Sequence, residues 1–136
     1  MEPEIENMKK FILAILICLC AVILSACKKS DDTAGIIRPV TAFYDAIVTQ
    51  SRDKVGAITC AEWEKDALRD VDSFMGVKSE MKDFSCTVAE KSDDSAVVTC
   101  KGAIAASYGA EVRDFPLDGR SHKVIKEQGE WRICGY

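Results

Sequence analysis

The chain has 136 residues, with 18 basic and 22 acidic side chains and a net charge of −4. This length suffices for a domain with its own core. Nucleic-acid-binding proteins usually carry a clear basic stripe. Charges of both signs are mixed along this sequence without a basic block, so no nucleic-acid partner is predicted.

The N-terminal segment has the pattern of an export signal. Met8-Lys9-Lys10 is a short positive region, and Phe11 to Leu24 is an unbroken run of 14 apolar residues. A membrane-spanning helix needs about 20 apolar residues, whereas a signal peptide needs roughly 7–15. Residues 1–26 are therefore predicted to be a signal peptide. Three acidic side chains within residues 1–7 oppose its positive end, so translation is predicted to start at Met8.

The segment Leu24-Ser25-Ala26-Cys27 resembles the lipobox of bacterial lipoproteins. The resemblance implies transfer of diacylglycerol to the Cys27 thiol, cleavage between Ala26 and Cys27, and anchoring in the lipid bilayer by acyl chains such as palmitate. Lys28 stands where an aspartate would retain such a protein in the inner membrane of a Gram-negative cell. The expected location is the outer membrane, facing the periplasm. The alternative is an ordinary signal peptide or an uncleaved anchor.

Removal of residues 1–26 would leave 110 residues with a net charge of −3. Residues 27–36 are polar around the lipid site and are predicted to be a tether. Residues 37–136 are predicted to form one domain. Four cysteines remain after Cys27, an even number that favours two disulfides in an exported domain. Without a Cys-x-x-Cys pair, the sequence predicts neither a metal site nor a cofactor.

The first part of the predicted domain has apolar residues at helical spacing. A helix is expected to begin near Pro39, with Val40, Phe43, Tyr44 and Ile47 on one face. A short helical piece is expected over residues 53–58. Thr59 and Glu62 match a capping box, so a further helix is predicted to begin at Thr59 and to end at Gly76.

From about residue 83 the apolar period changes to two, which is typical of strands. Strands are predicted from residue 83 to the turn at residues 91–95, from there to about residue 103, and then over residues 111–117, 121–126 and 131–136. Helices followed by an antiparallel meander predict an α+β fold.

The first hairpin suggests a disulfide pairing. If its turn is centred on Asp93, Cys86 and Cys100 lie directly opposite each other. Cys60 and Cys134 would then join the helical layer to the last strand. Four cysteines allow three pairings, and a bond between Cys60 and Cys86 would contradict this one.

The segments Pro-Val-Thr-Ala-Phe-Tyr-Asp-Ala-Ile and Lys-Val-Ile-Lys-Glu-Gln-Gly-Glu-Trp-Arg-Ile are similar to parts of small bacterial lipoproteins with a nuclear-transport-factor-two-like or cystatin-like domain. The resemblance covers roughly residues 37–136. It implies helices packed into the concave side of a strongly curved, cone-like sheet. Its members include enzymes and binding modules, so it does not decide the function.

No residue is predicted to be catalytic. Tyr44 is expected at the edge of the core, Asp45 in solvent, and His122 on the surface. Cys60 at a helix N-terminus would be a reactive thiol, but it lacks a nearby resolving cysteine. The expected function is a membrane-anchored, non-enzymatic domain that binds a protein or a small molecule. The alternative is an enzyme that uses the concave pocket as its active site.

Overall fold

The computed structural model describes residues 32–136. The predicted signal peptide, Ala26, Cys27 and tether residues 27–31 lie outside the described residues. The described part contains helix α1 (Thr33–Thr49), a 3₁₀ turn (Arg52–Lys54), α2 (Val55–Ile58), α3 (Glu64–Ser73) and strands β1 (Lys78–Lys91), β2 (Ser95–Tyr108), β3 (Glu111–Pro116), β4 (Ser121–Glu127) and β5 (Glu130–Ile133). The predicted α+β class is confirmed. No helix within residues 32–136 is long and apolar enough to cross a membrane.

The strands form one antiparallel sheet around β2. Strand β1 pairs with one side of β2, and the other side is shared by β3 and β4. Strand β3 pairs with residues 103–108, β4 pairs with residues 95–99, and β5 follows β4. The sheet is curved like half a barrel, and the three helices pack on it.

The curvature has a local cause in the long β1–β2 hairpin. The pairing register shifts between Lys82 and Ser85, which places an extra residue in β1. Asp83 lies there with a positive φ of 49°, and Gly102 on β2 has a φ of 103°. A β-carbon on Gly102 would lie 2.4 Å from the carbonyl oxygen of Lys82. The extra residue bends the hairpin at this point. The two strands can approach so closely there because residue 102 is glycine and has no β-carbon.

Helix α1 begins at Thr33, so the expected start near Pro39 is wrong. Residues 33–36 belong to the helix and not to the tether. The Trp131 indole nitrogen donates a hydrogen bond to the Asp32 carboxylate over 2.5 Å, which ties the start of α1 to β5.

Burial explains why α1 continues on the N-terminal side of its proline. Ile36 is 0% exposed and extends the apolar face of Val40, Phe43 and Ile47 by one turn. Burying such a side chain is worth about 1.5–3 kcal/mol, close to the cost of about 3 kcal/mol for a proline inside a helix.

The expected capping box at Thr59 is also wrong, because α3 begins at Glu64. Thr59 has extended backbone geometry and forms a parallel bridge with Ile133. The Cys60 amide donates to the Ile133 carbonyl over 2.9 Å, and the Thr59 hydroxyl donates to the Val55 carbonyl over 2.9 Å. These contacts hold residues 59 and 60 beside β5, so they cannot form the first turn of a helix.

Strand β1 begins at Lys78, five residues before the predicted start. Residues 78–82 alternate less clearly in polarity than residues 84–88. They nevertheless form a strand because residues 103–107 of β2 offer them backbone partners. The later strands follow one another along the chain as predicted, but β4 pairs with β2 and not with β3, as a simple meander would require.

Two disulfides connect these elements, with the connectivity expected from the sequence. Cys86 and Cys100 are directly paired across β1 and β2, with their α-carbons 4.1 Å apart. Cys60 is bonded to Cys134, which joins the α2–α3 connection to the end of the sheet across 74 residues.

Replacing Cys60 and Cys134 together by alanine should lower the free energy of unfolding by about 4 kcal/mol, because the bond closes a long loop in the unfolded chain. The matched double variant at Cys86 and Cys100 closes only 14 residues and should cost about 3 kcal/mol. Urea unfolding of the two non-reduced double variants measures both losses. A larger loss for the shorter loop would contradict the assignment of these costs to chain entropy.

Candidate functional site

The concave side of the sheet is occupied by side chains of α1. Phe43 and Tyr44 are both buried, and Tyr44 is 1% exposed. The Phe43 ring packs against Trp63 of the α2–α3 connection, with centroids 5.0 Å apart. The Tyr44 ring packs against Phe84 of β1 and His122 of β4, with centroids 5.5 and 5.4 Å away. Tyr44 therefore lies fully within the core and not at its edge.

His122 is 0% exposed, so the expectation of a surface histidine is wrong. In β4, alternate residues face the same side, and His122 shares the inward face with Val124. Their partners on β2 are Val98 and Ala96, which are also buried. The alternation of His122 with Val124 in the sequence favours this buried position. The neighbouring charges of Arg120 and Lys123 favoured a surface position instead.

Tyr44 and His122 form a buried polar link between helix and sheet. The Tyr44 hydroxyl lies 2.6 Å from Nε2 of His122, and Nδ1 of His122 lies 3.1 Å from the Val98 carbonyl oxygen. A carbonyl only accepts, so Nδ1 carries the proton and donates to Val98. In the neutral ring, Nε2 then accepts the hydrogen bond that the Tyr44 hydroxyl donates.

Burial controls the ionisation of both groups. Loss of water lowers the pKa of His122, the Val98 hydrogen bond opposes this change, and the positive charge of Arg120 lowers the pKa further. Burial raises the pKa of Tyr44 to about 12, with Arg120 acting in the opposite direction. Both side chains are therefore neutral at pH 7, and in this state the Tyr44 hydroxyl donates to Nε2 of His122.

A second polar group covers this pair from the solvent side. The Tyr136 ring packs 5.7 Å from the His122 ring, and its hydroxyl donates to the Asp70 carboxylate over 2.8 Å. The Arg120 guanidinium lies 4.9 Å from the centre of the Tyr136 ring. Burial and the bond to Asp70 raise the pKa of Tyr136. Asp70, Arg120 and Tyr136 come from three separate parts of the chain, and nothing in the sequence pattern associates them.

The Tyr44–His122 pair contains proton donors and acceptors but presents none of its reactive atoms to solvent. The Nε2 lone pair of His122 is already used by Tyr44, and the Nδ1 proton is used by Val98. Asp45 does not join the group. It is exposed and lies 3.4 Å from the Lys54 ammonium. The contacts favour a structural role for Tyr44 and His122.

The other residues considered as reactive sites are placed elsewhere. Cys60 is 0% exposed and bonded to Cys134, so the hypothesis of a reactive thiol at a helix N-terminus is wrong. Among residues 32–136, no three His, Cys, Asp or Glu side chains are grouped as metal ligands would be. Cys27 and Ala26 lie outside the described residues.

Neither the family models nor the curated proteins that were compared with this chain gave a match. The resemblance to nuclear-transport-factor-two-like and cystatin-like lipoproteins therefore stays a prediction.

Replacing Tyr44 by phenylalanine should lower the free energy of unfolding by about 1–3 kcal/mol, because the variant leaves Nε2 of His122 buried without a donor. Tyr136→Phe is the matched control. It removes a hydroxyl whose partner, Asp70, can turn to water, and it should cost less than about 1 kcal/mol. Equal losses in urea unfolding would contradict the distinction between a buried and a half-exposed hydrogen bond.

Stability should also depend on the charge of His122. Its pKa in the folded state is below the ordinary value of about 6.5, so the unfolded chain binds the proton more readily. The free energy of unfolding should therefore be constant above about pH 7 and should fall as the pH drops through 6.5.

His122→Gln keeps a hydrogen-bond donor and an acceptor but does not titrate. Its loss of stability between pH 7.5 and pH 5 should be smaller than that of the unchanged protein. Identical pH profiles in chemical unfolding would show that His122 does not contribute.

Proposed function

We propose that this chain is a bacterial lipoprotein, anchored in a membrane through acylated Cys27, whose domain binds a protein or a small molecule without catalysing a reaction. The N-terminal sequence pattern supports the anchor. The two disulfides favour an oxidising compartment such as the periplasm.

One observation carries the non-enzymatic part of the proposal. In a conical α+β fold, the concave side is the natural place for an active site, but here Tyr44 and His122 fill it and hydrogen-bond to each other. A substrate would have to displace Tyr136 and its contact with Asp70 before it reached either side chain. Binding on the outer surface of the domain requires no such displacement.

The alternative is an enzyme that uses the concave side, with Tyr44 and His122 as its catalytic residues. Histidine and tyrosine are both side chains that transfer protons in enzymes. The histidine also needs a carboxylate or a similar group to orient it and a reacting atom within reach. The partner that orients His122 is the Val98 backbone carbonyl. Such a hydrogen bond is as compatible with a purely structural histidine as with a catalytic one. The binding function is therefore preferred.

Mass spectrometry of the intact protein purified from bacterial membranes tests the anchor. We expect the mass of a chain that begins at Cys27, increased by one diacylglyceryl group, with or without a third acyl chain on the new amine, and reduced by four hydrogens for the two disulfides. Cys27→Ser should abolish the lipid mass and should leave the protein unprocessed or released from membranes. Unchanged processing and fractionation of Cys27→Ser would contradict the proposal.

Lys28→Asp is the matched control for location. It should keep the lipid mass and move the protein from the outer-membrane fraction to the inner-membrane fraction of a Gram-negative host. An unchanged distribution would contradict the outer-membrane location that Lys28 predicts and leave the lipid anchor intact.

A further inference from the structure

A polar cavity of about 270 Å³ lies on the face of the sheet opposite the helices. Its floor is formed by neighbouring outward-facing residues of β1 and β2. The turn between β3 and β4 forms its rim. The lining residues are Ser85, Thr87, Thr99, Cys100, Lys101, Asp118 and Gly119.

The floor of the cavity carries three hydroxyl groups. Thr87 and Thr99 are directly paired across the strands, with their Oγ1 atoms 3.3 Å apart. Ser85 lies beside them and is paired with Lys101. Each hydroxyl can donate one hydrogen bond and accept others. The floor therefore suits a ligand that has both amide donors and carbonyl acceptors.

Two opposite charges border the same cavity without neutralising each other. Lys101 extends from β2, and Asp118 lies in the β3–β4 turn. Neither makes an ion pair within residues 32–136. By contrast, Lys82 and Asp114, on the same face of the sheet, pair at 3.0 Å. The cavity thus offers one cation and one anion to a ligand.

The Cys86–Cys100 disulfide lies directly behind this cavity. Ser85 and Thr87 flank Cys86, and Thr99 and Lys101 flank Cys100. Side chains alternate along a strand, so the bond faces the core while these four neighbours face the cavity. A covalent link between the strands fixes the spacing of the polar groups before a ligand binds. Such preorganisation reduces the entropy lost on binding.

We propose that this cavity binds a small zwitterion with an ammonium and a carboxylate group, of the size of a free amino acid or a dipeptide. Lys101 binds its carboxylate, Asp118 binds its ammonium, and the hydroxyls of Ser85, Thr87 and Thr99 bind the atoms between them. The volume is slightly below the range of about 300–1,000 Å³ that is typical of sites for larger ligands. This proposal rests on the proposed function, a binding domain, and names its ligand class.

The test uses the purified full-length protein in detergent and three related probes that differ in which terminal charges they carry. The probes are diglycine, N-acetyl-diglycine without the ammonium, and diglycine amide without the carboxylate. Binding is followed by the chemical shifts of backbone amides in residues 85–101. We expect diglycine to bind at least about 10-fold more tightly than either derivative, since each charged hydrogen bond removed costs that much or more.

Two variants connect the binding to the named residues. Lys101→Met should weaken diglycine at least about 10-fold while leaving diglycine amide unchanged, and Asp118→Asn should weaken diglycine and leave N-acetyl-diglycine unchanged. Lys123→Met is the matched control, since Lys123 lies on the same face but outside this cavity. It should bind diglycine like the unchanged protein.

Several outcomes would overturn the proposal. They are the absence of diglycine binding, equal binding of all three probes, or equal affinity in Lys101→Met and the unchanged protein. Failure here is distinguishable from failure of the proposed function. The lipid mass and the fractionation of Cys27→Ser test the anchor, and neither depends on whether this cavity is occupied.

Discussion

The bend of the β1–β2 hairpin is the constraint on which the rest of the structure depends. Gly102 approaches the Lys82 carbonyl more closely than any side chain would permit, and the extra residue at Asp83 turns β1 at the same point. On one side of the bend, β2 pairs with β3, and on the other it pairs with β4. The curvature gives α1 a concave surface on which to pack. It also places the Cys86–Cys100 bond immediately beside the bend.

The two faces of the sheet have different chemical character. On the concave face, apolar contacts surround one polar link, in which Tyr44 donates to His122 and His122 donates to Val98. Each polar atom of this link has a partner, so it joins α1 to β4 and β2 without the cost of an unsatisfied buried group. On the outer face, hydroxyl groups and the charges of Lys101 and Asp118 remain available to a ligand.

This distribution connects the fold to the proposed role. A tethered binding protein needs a rigid domain and a surface that remains accessible. The Cys60–Cys134 bond joins the helical layer to the end of the sheet, and the Cys86–Cys100 bond joins the two longest strands. The Cys86–Cys100 bond lies behind the outer face, so it restricts the motion of that face without covering it. The concave face of the same domain is closed by its own side chains.

The sequence by itself determined the α+β class and the order of the strands along the chain, and it predicted the Cys86–Cys100 pair, which leaves Cys60 to bond with Cys134. The class and the strand order follow from local periodicity, and the Cys86–Cys100 pair follows from the symmetry of a hairpin about its turn, so residues near in sequence decide them. Tertiary structure decided the features that depend on contacts between residues far apart in the sequence. Burial of Ile36 extended α1 beyond Pro39, and the bridge from Thr59 to β5 prevented a helix from starting there. His122 alternates with Val124, but a buried histidine needs partners for both ring nitrogens, and one of these partners, Tyr44, is 78 residues away. The charges at the outer cavity likewise meet only through the folded sheet.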